Sequence, residues 1–220
     1  MTLKHQDPLN GEGIDAIYNT VSHERMATYL VASGQDRQRA ARLYLWNAKM
    51  GEAFHVVIQG VEVALRNAVN RALVAEFGVD WWTNQRFLDL IDHDRQGDLD
   101  LVRRRLRNRN LPEINGQIVA GLSFGFWVGM LQRYNVEIWS KHLRVVFPNL
   151  PEARSRKSLA ASISHIAFLR NRISHHEPLL KRNHSNDYKV VTETLEWICP
   201  SKSGWLRPHC RVPELMRQKP

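Results

Sequence analysis

The sequence predicts an all-α protein. Apolar residues recur every three or four positions along most of the 220 residues, which is the spacing of one face of a helix. No run alternates apolar and polar residues as a half-buried strand does. With 43% hydrophobic residues, the chain is long enough to bury a core. We expect a loosely ordered segment over residues 1–21, one helical domain over residues 22–200 and a tail over residues 201–220.

Caps and stop signals predict the first three helices. The hydroxyl of Ser22 can cap a helix that Gly34 ends. A second helix is predicted over residues 36–50. A long third helix is predicted over residues 52–77, because one stripe of it is apolar and Gly78 follows. That stripe consists of Phe54, Val57, Val61, Leu65, Ala68 and Ala72.

The rest of the chain predicts shorter helices. Residues 79–117 are more polar, which favours short helices and loops. Residues 116–134 keep helical spacing but are rich in glycine, which predicts a helix packed closely against a neighbour. Residues 137–147, 154–176 and 187–199 predict three further helices.

Composition restricts the location and the partners. The apolar residues around 118–131 are interrupted by glycine and serine, so we expect no transmembrane span and no membrane partner. The first thirty residues lack the basic start and apolar middle of a secretory signal, which favours a cytoplasmic protein. Cys199 and Cys210 form no CxxC pair and are expected to be ordinary thiols. The net charge of +9 would attract polyanions such as RNA.

One arginine interrupts the apolar stripe of the predicted helix over residues 154–176. At ~100° per residue, four apolar residues of this helix lie within about 40° of one line. They are Leu159, Ile163, Ile166 and Ile173. Arg170 lies among them, so it points where the core should be and needs a carboxylate, a phosphate or a hydrated interface. From spacing alone, a structural ion pair is the commoner explanation.

The residues that follow Arg170 favour phosphate-ester cleavage. Asn171 and His175 are one turn apart, whereas Arg170 and His175 are about 140° apart on an ideal helix. The two converge only if the helix loosens, and Pro178 predicts that it ends close to His176. Arginine matches a phosphate, histidine titrates near neutral pH, and asparagine can orient either one.

These residues resemble a known family. The run "RNRISH", residues 170–175, resembles the R-N-x-x-x-H signature of HEPN domains, and "LRNRISHHEPL" is similar to the Abi-like (abortive infection) family of bacterial phage-defence proteins. Further segments follow the order of that family over residues 22–200. They are "YLWNAKMGEAF", "VEVALRNAVNRAL", "AGLSFGFWVGML", "EIWSKHLRVVFP" and "LEWICP".

The resemblance implies a HEPN-like helical bundle with additional helices and a function in phage defence. Members of the family typically form homodimers and cleave RNA without a metal or other cofactor, and an RNA or protein antitoxin is a further partner to consider. By position, the resemblance assigns Arg170 and His175 as the catalytic pair, with Asn171 beside them. Some HEPN toxins carry a tyrosine two residues after the histidine, as a modification site. Glu177 stands there in this chain, which argues against control by a tyrosine-modifying antitoxin.

A second polar block supports this assignment. Glu62, Arg66 and Asn67 match an E-x-x-x-R-N block of the family in the long third helix. Glu62 and Arg66 are four residues apart and can pair with each other or reach the motif. We regard Glu62 as a candidate partner for Arg170. His176 is interpreted as part of the helix exit that shapes the pocket.

Three alternatives stay open at this stage. His175, His176, Glu177 and His184 could be metal ligands, although no pair of histidines is spaced i, i+4 on a helix. The arginines of the basic segment either form a solvated face or hold the RNA backbone. They are Arg103, Arg104, Arg105, Arg107 and Arg109. A non-catalytic HEPN module that binds RNA or regulates a partner would keep the same fold.

Five aromatic residues could stack on bases, but helical spacing favours core packing for them. They are Trp81, Trp82, Phe124, Phe126 and Trp127.

Overall fold

The computed structural model describes residues 11–131 and 136–220, and side chains are not described for residues 136–138. The fold is 78% helical, and the described ranges contain no strand, which confirms the all-α prediction. The helices are α1 (Gly11–Val21), α2 (His23–Ala32), α3 (Arg37–Phe77), α4 (Gln85–Leu90), α5 (His93–Asn108), α6 (Asn115–Gly121), α7 (Phe124–Met130), α8 (Val136–Val146), α9 (Arg156–Ser174), α10 (His184–Ile198), α11 (Pro200–Leu206) and α12 (Val212–Arg217). Short 3₁₀ turns occur at Trp81–Thr83 and Arg207–His209.

Helix α3 is the central element of the fold. Its 41 residues extend over roughly 60 Å at ~1.5 Å per residue. All six residues of the predicted apolar stripe are buried. Helices α2, α8, α9 and α10 pack against α3, and so do several shorter ones. The long helix α3 therefore packs against α9, the helix that carries the motif.

The sequence predicts two helices where the structure has one, and the boundary drawn between residues 50 and 52 is wrong. The side chain of Asp36 caps the start, because the amide of Arg39 donates to it at 2.9 Å. Gly78 ends the helix with a φ of 92°. Gly51 lies within the helix, where a Cβ atom would be 3.4 Å from Cγ2 of Ile173. This glycine lies against Ile173 of α9 and does not break the helix.

Both ends of the chain are more ordered than the sequence predicts. Residues 1–10 lie outside the described part, but residues 11–21 form α1, because Ile14 and Tyr18 are buried one turn apart against the core. At the other end, α11 and α12 replace the predicted tail. Val212 and Leu215 are buried, and Trp46 Nε1 donates to the carbonyl of Leu215 at 2.8 Å. Helix α12 therefore contributes Val212 and Leu215 to the core.

The glycine-rich region is not a single helix. It breaks at Leu122 into α6 and α7, and the hydroxyl of Ser123 caps α7 by accepting from the amide of Phe126 at 3.2 Å. The predicted end of that helix, residues 132–135, lies outside the described ranges. The five aromatic residues singled out from the sequence are all buried, which confirms core packing for them.

Two further expectations concern membranes and cysteines. Within residues 11–131 and 136–220, no helix is both long and apolar enough to cross a lipid bilayer. Cys199 and Cys210 are free thiols, as expected. Burial raises the pKa of Cys210, so its thiol is less reactive than an exposed one.

Continuity of α3 through residue 51 can be tested with alanine. Gly51→Ala should raise the free energy of unfolding by about 0.5–1 kcal/mol, because alanine favours an unbroken helix and the new Cβ only touches Ile173. Gly60→Ala is the matched control. It should gain less, because its Cβ would lie 2.5 Å from Leu206 Cδ1 and 3.3 Å from Leu195 Cδ2. Denaturant unfolding measures both variants, and a loss of stability in Gly51→Ala would contradict the continuous helix.

Candidate functional site

Arg170 is fixed from two sides. Its Nε donates to Glu62 Oε1 at 2.9 Å, and its Nη1 donates to Asn171 Oδ1 at 3.5 Å. The predicted pairing of Glu62 with Arg170 is therefore confirmed. The expectation that Arg170 points into the core is wrong, because its side chain is 40% exposed and Leu169 is the buried residue of this turn. An ion pair this exposed contributes only about 0.2–1 kcal/mol, so it positions the guanidinium more than it stabilises the fold.

Only part of the predicted polar block reaches the motif. The Glu62 carboxylate binds Arg170, and the described side chains include no ion pair between Glu62 and Arg66. The Nε atom of Arg66 is buried without a hydrogen-bond partner in that same part of the chain. Asn67 is exposed. The structure therefore brings Glu62 to the motif, and it does not bring Arg66 or Asn67 into contact with Arg170.

The two motif histidines lie where α9 ends. The amide of His175 donates to the carbonyl of Asn171 at 2.9 Å, and His176 adopts a left-handed φ of 54°. The helix thus ends close to His176, as Pro178 predicts. Both imidazoles belong to exposed residues. The carbonyl of His176 accepts from Arg25 Nη1 at 3.3 Å, which ties this turn to α2.

A groove runs between α3 and the end of α9. It consists of a narrow cavity of about 70 Å³ and a wider one of about 380 Å³. His55 and Ile173 line both cavities, so the two are adjacent. Glu62 and Arg170 line the narrow end, and His176 lines the wide end. We call this the motif groove. His175 lines neither cavity, so one chain does not bring it into the groove beside Arg170.

Sequence reasoning misses His55. It precedes Glu62 by seven residues, which is two helical turns, so the two share one face of α3. In the sequence, an exposed histidine on a long helix looks like any other solvent-exposed residue. Only the approach of α9 shows that this face forms the wall of a groove.

Sequence reasoning also misses Asn47, which holds the chain after the motif. This buried side chain accepts from the amide of Leu179 at 2.6 Å and donates to the carbonyl of Glu177 at 3.5 Å. Arg172 adds two contacts, donating to the carbonyl of Pro178 at 2.7 Å and pairing with the Glu177 carboxylate at 3.2 Å. The wide end of the motif groove is therefore built on fixed backbone.

The geometry does not favour the metal alternative. His184 is buried, with its ring edge-on to Trp46 at 5.3 Å between centroids and tilted against Phe54 at 6.4 Å. Burial lowers the pKa of His184 and favours the neutral imidazole. Across the described ranges, no group of three or more His, Cys, Asp or Glu side chains is arranged to hold a metal ion.

The predicted basic segment divides into two sets. Arg103 and Arg107 bind Glu113 at 2.7 and 2.8 Å, and the hydrogen bond from Arg103 is the main cause of the lowered pKa of Glu113. Arg104, Arg105 and Arg109 are exposed. The last two line a groove of about 600 Å³ between α5 and α6. This groove shares no lining residue with the motif groove, so the arginines do not border Arg170.

Comparison with known proteins identifies no relative. No family model, no curated protein and no solved structure matches the chain.

Asn47→Ala tests how the wide end of the motif groove is held. The substitution leaves the amide of Leu179 buried without its acceptor, so we expect a loss of about 1–3 kcal/mol in the free energy of unfolding. Asn67→Ala, an exposed asparagine on the same helix, is the control and should change stability little. Denaturant unfolding of both variants measures the difference. Equal stabilities would mean that Asn47 does not clamp the chain after the motif.

Proposed function

We propose that the protein is a metal-independent endoribonuclease of bacterial phage defence. The observation that best supports this proposal is the environment of Arg170. Glu62 binds one edge of its guanidinium, which remains partly exposed in the motif groove. The motif resemblance adds Asn171 and His175. A fixed, partly exposed arginine in the same cavity as His55 suits a phosphate ester better than an apolar substrate.

The free edge of Arg170 is available to a phosphate. A guanidinium has five N–H donors, and Glu62 and Asn171 accept from two of its nitrogens. The remaining donors can bind the non-bridging oxygens of a phosphodiester in a bidentate manner. Glu62 therefore orients the fork, and the substrate occupies its other side.

In the proposed reaction, the ribose 2′-hydroxyl attacks its own 3′-phosphate. His175 accepts the proton of the hydroxyl, the new P–O2′ bond forms, and the P–O5′ bond breaks. The leaving oxygen takes up a proton, for which His55 in the motif groove is the candidate donor. Arg170 stabilises the negative charge that accumulates on the phosphorane oxygens. The products are a 2′,3′-cyclic phosphate and a 5′-hydroxyl.

The arrangement favours a homodimer as the active species. Arg170 faces the motif groove, whereas His175 is exposed and lines neither of its cavities. A two-fold axis near the end of α9 would bring the His175 of one copy towards the Arg170 of the other.

Cleavage assays test the chemistry. Arg170→Ala and His175→Ala should each lose about 10²-fold or more in rate on labelled single-stranded RNA in excess EDTA. Arg207→Ala and His209→Ala are matched controls. Arg207 is also an exposed arginine paired with a glutamate, Glu196, and His209 is also exposed. Both controls should retain activity.

The chemical ends of the product and the requirement for a 2′-hydroxyl in the substrate test the mechanism further. Product ends should carry a 2′,3′-cyclic phosphate, and 2′-deoxy or 2′-O-methyl strands should resist cleavage. Loss of cleavage in EDTA, or equal cleavage of a 2′-deoxy strand, would contradict the mechanism. RNA binding without any cleavage would favour the alternative, a non-catalytic HEPN module, which the exposed position of His175 also fits.

Mixing inactive subunits tests the dimer. If Arg170 and His175 act across a two-fold interface, Arg170→Ala and His175→Ala subunits mixed in equal amounts should recover up to about a quarter of wild-type activity. Half of the dimers then contain both variants, and one of their two sites is intact. Light scattering should show a dimer at micromolar concentration. A monomer in solution, together with a mixture that stays inactive, would rule out the composite site.

A further inference from the structure

Helix α9 has an outer face that the proposed chemistry does not use. Four of its large apolar residues are buried and Ile173 is partly buried, whereas Phe168 is 54% exposed. Three more exposed residues lie on the same side at helical spacing, and we call the four the outer stripe. It consists of Ser164, Phe168, Asn171 and His175. An exposed phenylalanine in line with the motif histidine therefore needs an explanation.

The Phe168 ring is supported by a cation that is itself fixed. The guanidinium carbon of Arg182 lies 5.3 Å from the ring centroid, and the Arg182 side chain is only 15% exposed. The buried carboxylate of Asp187 binds both Arg182 Nε and Nη2, at 2.8 and 2.6 Å. His165 Nε2 lies 2.7 Å from the same carboxylate. The ring thus rests on a buried ion pair and presents its remaining surface to solvent.

A second arginine also lies over the ring. Arg172 lies one turn after Phe168, with its guanidinium carbon 5.7 Å from the centroid, and it is held by the carbonyl of Pro178 and by Glu177. The charges of Arg172 and Arg182 are largely balanced by Glu177 and Asp187. The two arginines therefore orient the ring more than they attract phosphate.

We infer that Phe168 is a stacking platform for a nucleobase of single-stranded RNA, an inference that rests on the proposed function. Stacking on an exposed ring is available to every base and requires that the base be unpaired. Phe168 and His175 are seven residues apart, which is ~10.5 Å along the helix on one side. A base held at Phe168 would thus place the same strand alongside His175. The site would select unpaired RNA with little sequence preference.

The experiment measures the binding of an uncleavable strand. A 2′-O-methyl oligoribonucleotide with one 2-aminopurine reports affinity by anisotropy and stacking by quenching of its fluorescence. Phe168→Leu should weaken binding on the order of tenfold and abolish the quenching, whereas Phe168→Trp should retain both. Trp205→Leu is the matched control. Trp205 is 67% exposed, and no cation is found over its ring among the described residues, so its removal should leave binding unchanged.

Each outcome decides the inference. Equal binding by wild type and Phe168→Leu would overturn it and leave the proposed nuclease standing if the wild-type protein cleaves RNA. Failure of the wild-type protein both to bind and to cleave single-stranded RNA would overturn both proposals. A duplex of the same sequence that competes as well as the single strand would mean backbone binding and would overturn the stacking site. Loss of binding in both Phe168 variants with lowered melting temperatures would assign the ring to covering the Arg182–Asp187 pair, which also overturns it.

Discussion

The hydrogen bond between Arg170 and Glu62 joins the two longest helices of the described chain at the point where the motif groove begins. Its length of 2.9 Å is ordinary for a hydrogen bond, and its partial exposure makes its energetic contribution small. Its effect is on geometry, because Glu62 occupies one edge of the guanidinium and leaves the other edge available to a phosphate. Nearer the start of α3, Gly51 lies against Ile173, so α9 approaches α3 at this position too. The proposed chemistry depends on this approach of two helices.

The two sides of helix α9 have different roles. The side towards α3 holds Arg170 beside the motif groove, while the outer stripe carries Phe168, Asn171 and His175. Asn171 connects the two sides, since its side chain accepts from Arg170 and its carbonyl accepts from the amide of His175. The clamp made by Asn47 then fixes the chain that leaves the helix. A motif of six residues thus gives its arginine and its histidine different surroundings.

Much of this arrangement follows from sequence patterns that have a single structural meaning. The apolar stripe of residues 52–77 fixes the buried face of α3. The sequence also pairs Arg170 with Glu62, although Arg170 is partly exposed and does not point into the core. Other patterns have two meanings. Gly51 could end one helix or lie inside a longer one, and the unbroken course of α3 decides between them. A proline- and glycine-containing end could be a tail or two short helices, and the burial of Val212 and Leu215 decides that case.

The positions of His55 and Asn47 could not be predicted for a different reason. Both lie on α3, and their importance comes from residues more than a hundred positions away in the chain. Local spacing carries no information about such contacts. The resemblance to HEPN motifs has the opposite limitation, because it points to Arg170 and His175 without giving the side of the helix on which each lies.

The most direct test of the central claim reverses the charges of the pair. Glu62→Arg and Arg170→Glu are made singly and together, and both the free energy of unfolding and the RNA cleavage rate are measured. If Glu62 positions an arginine whose task is to bind phosphate, the double variant should recover most of the stability lost by the single variants. Its cleavage rate should stay about 10²-fold or more below that of the wild-type protein. Recovery of cleavage together with stability would contradict the account, because Arg170 would then be one half of a structural ion pair.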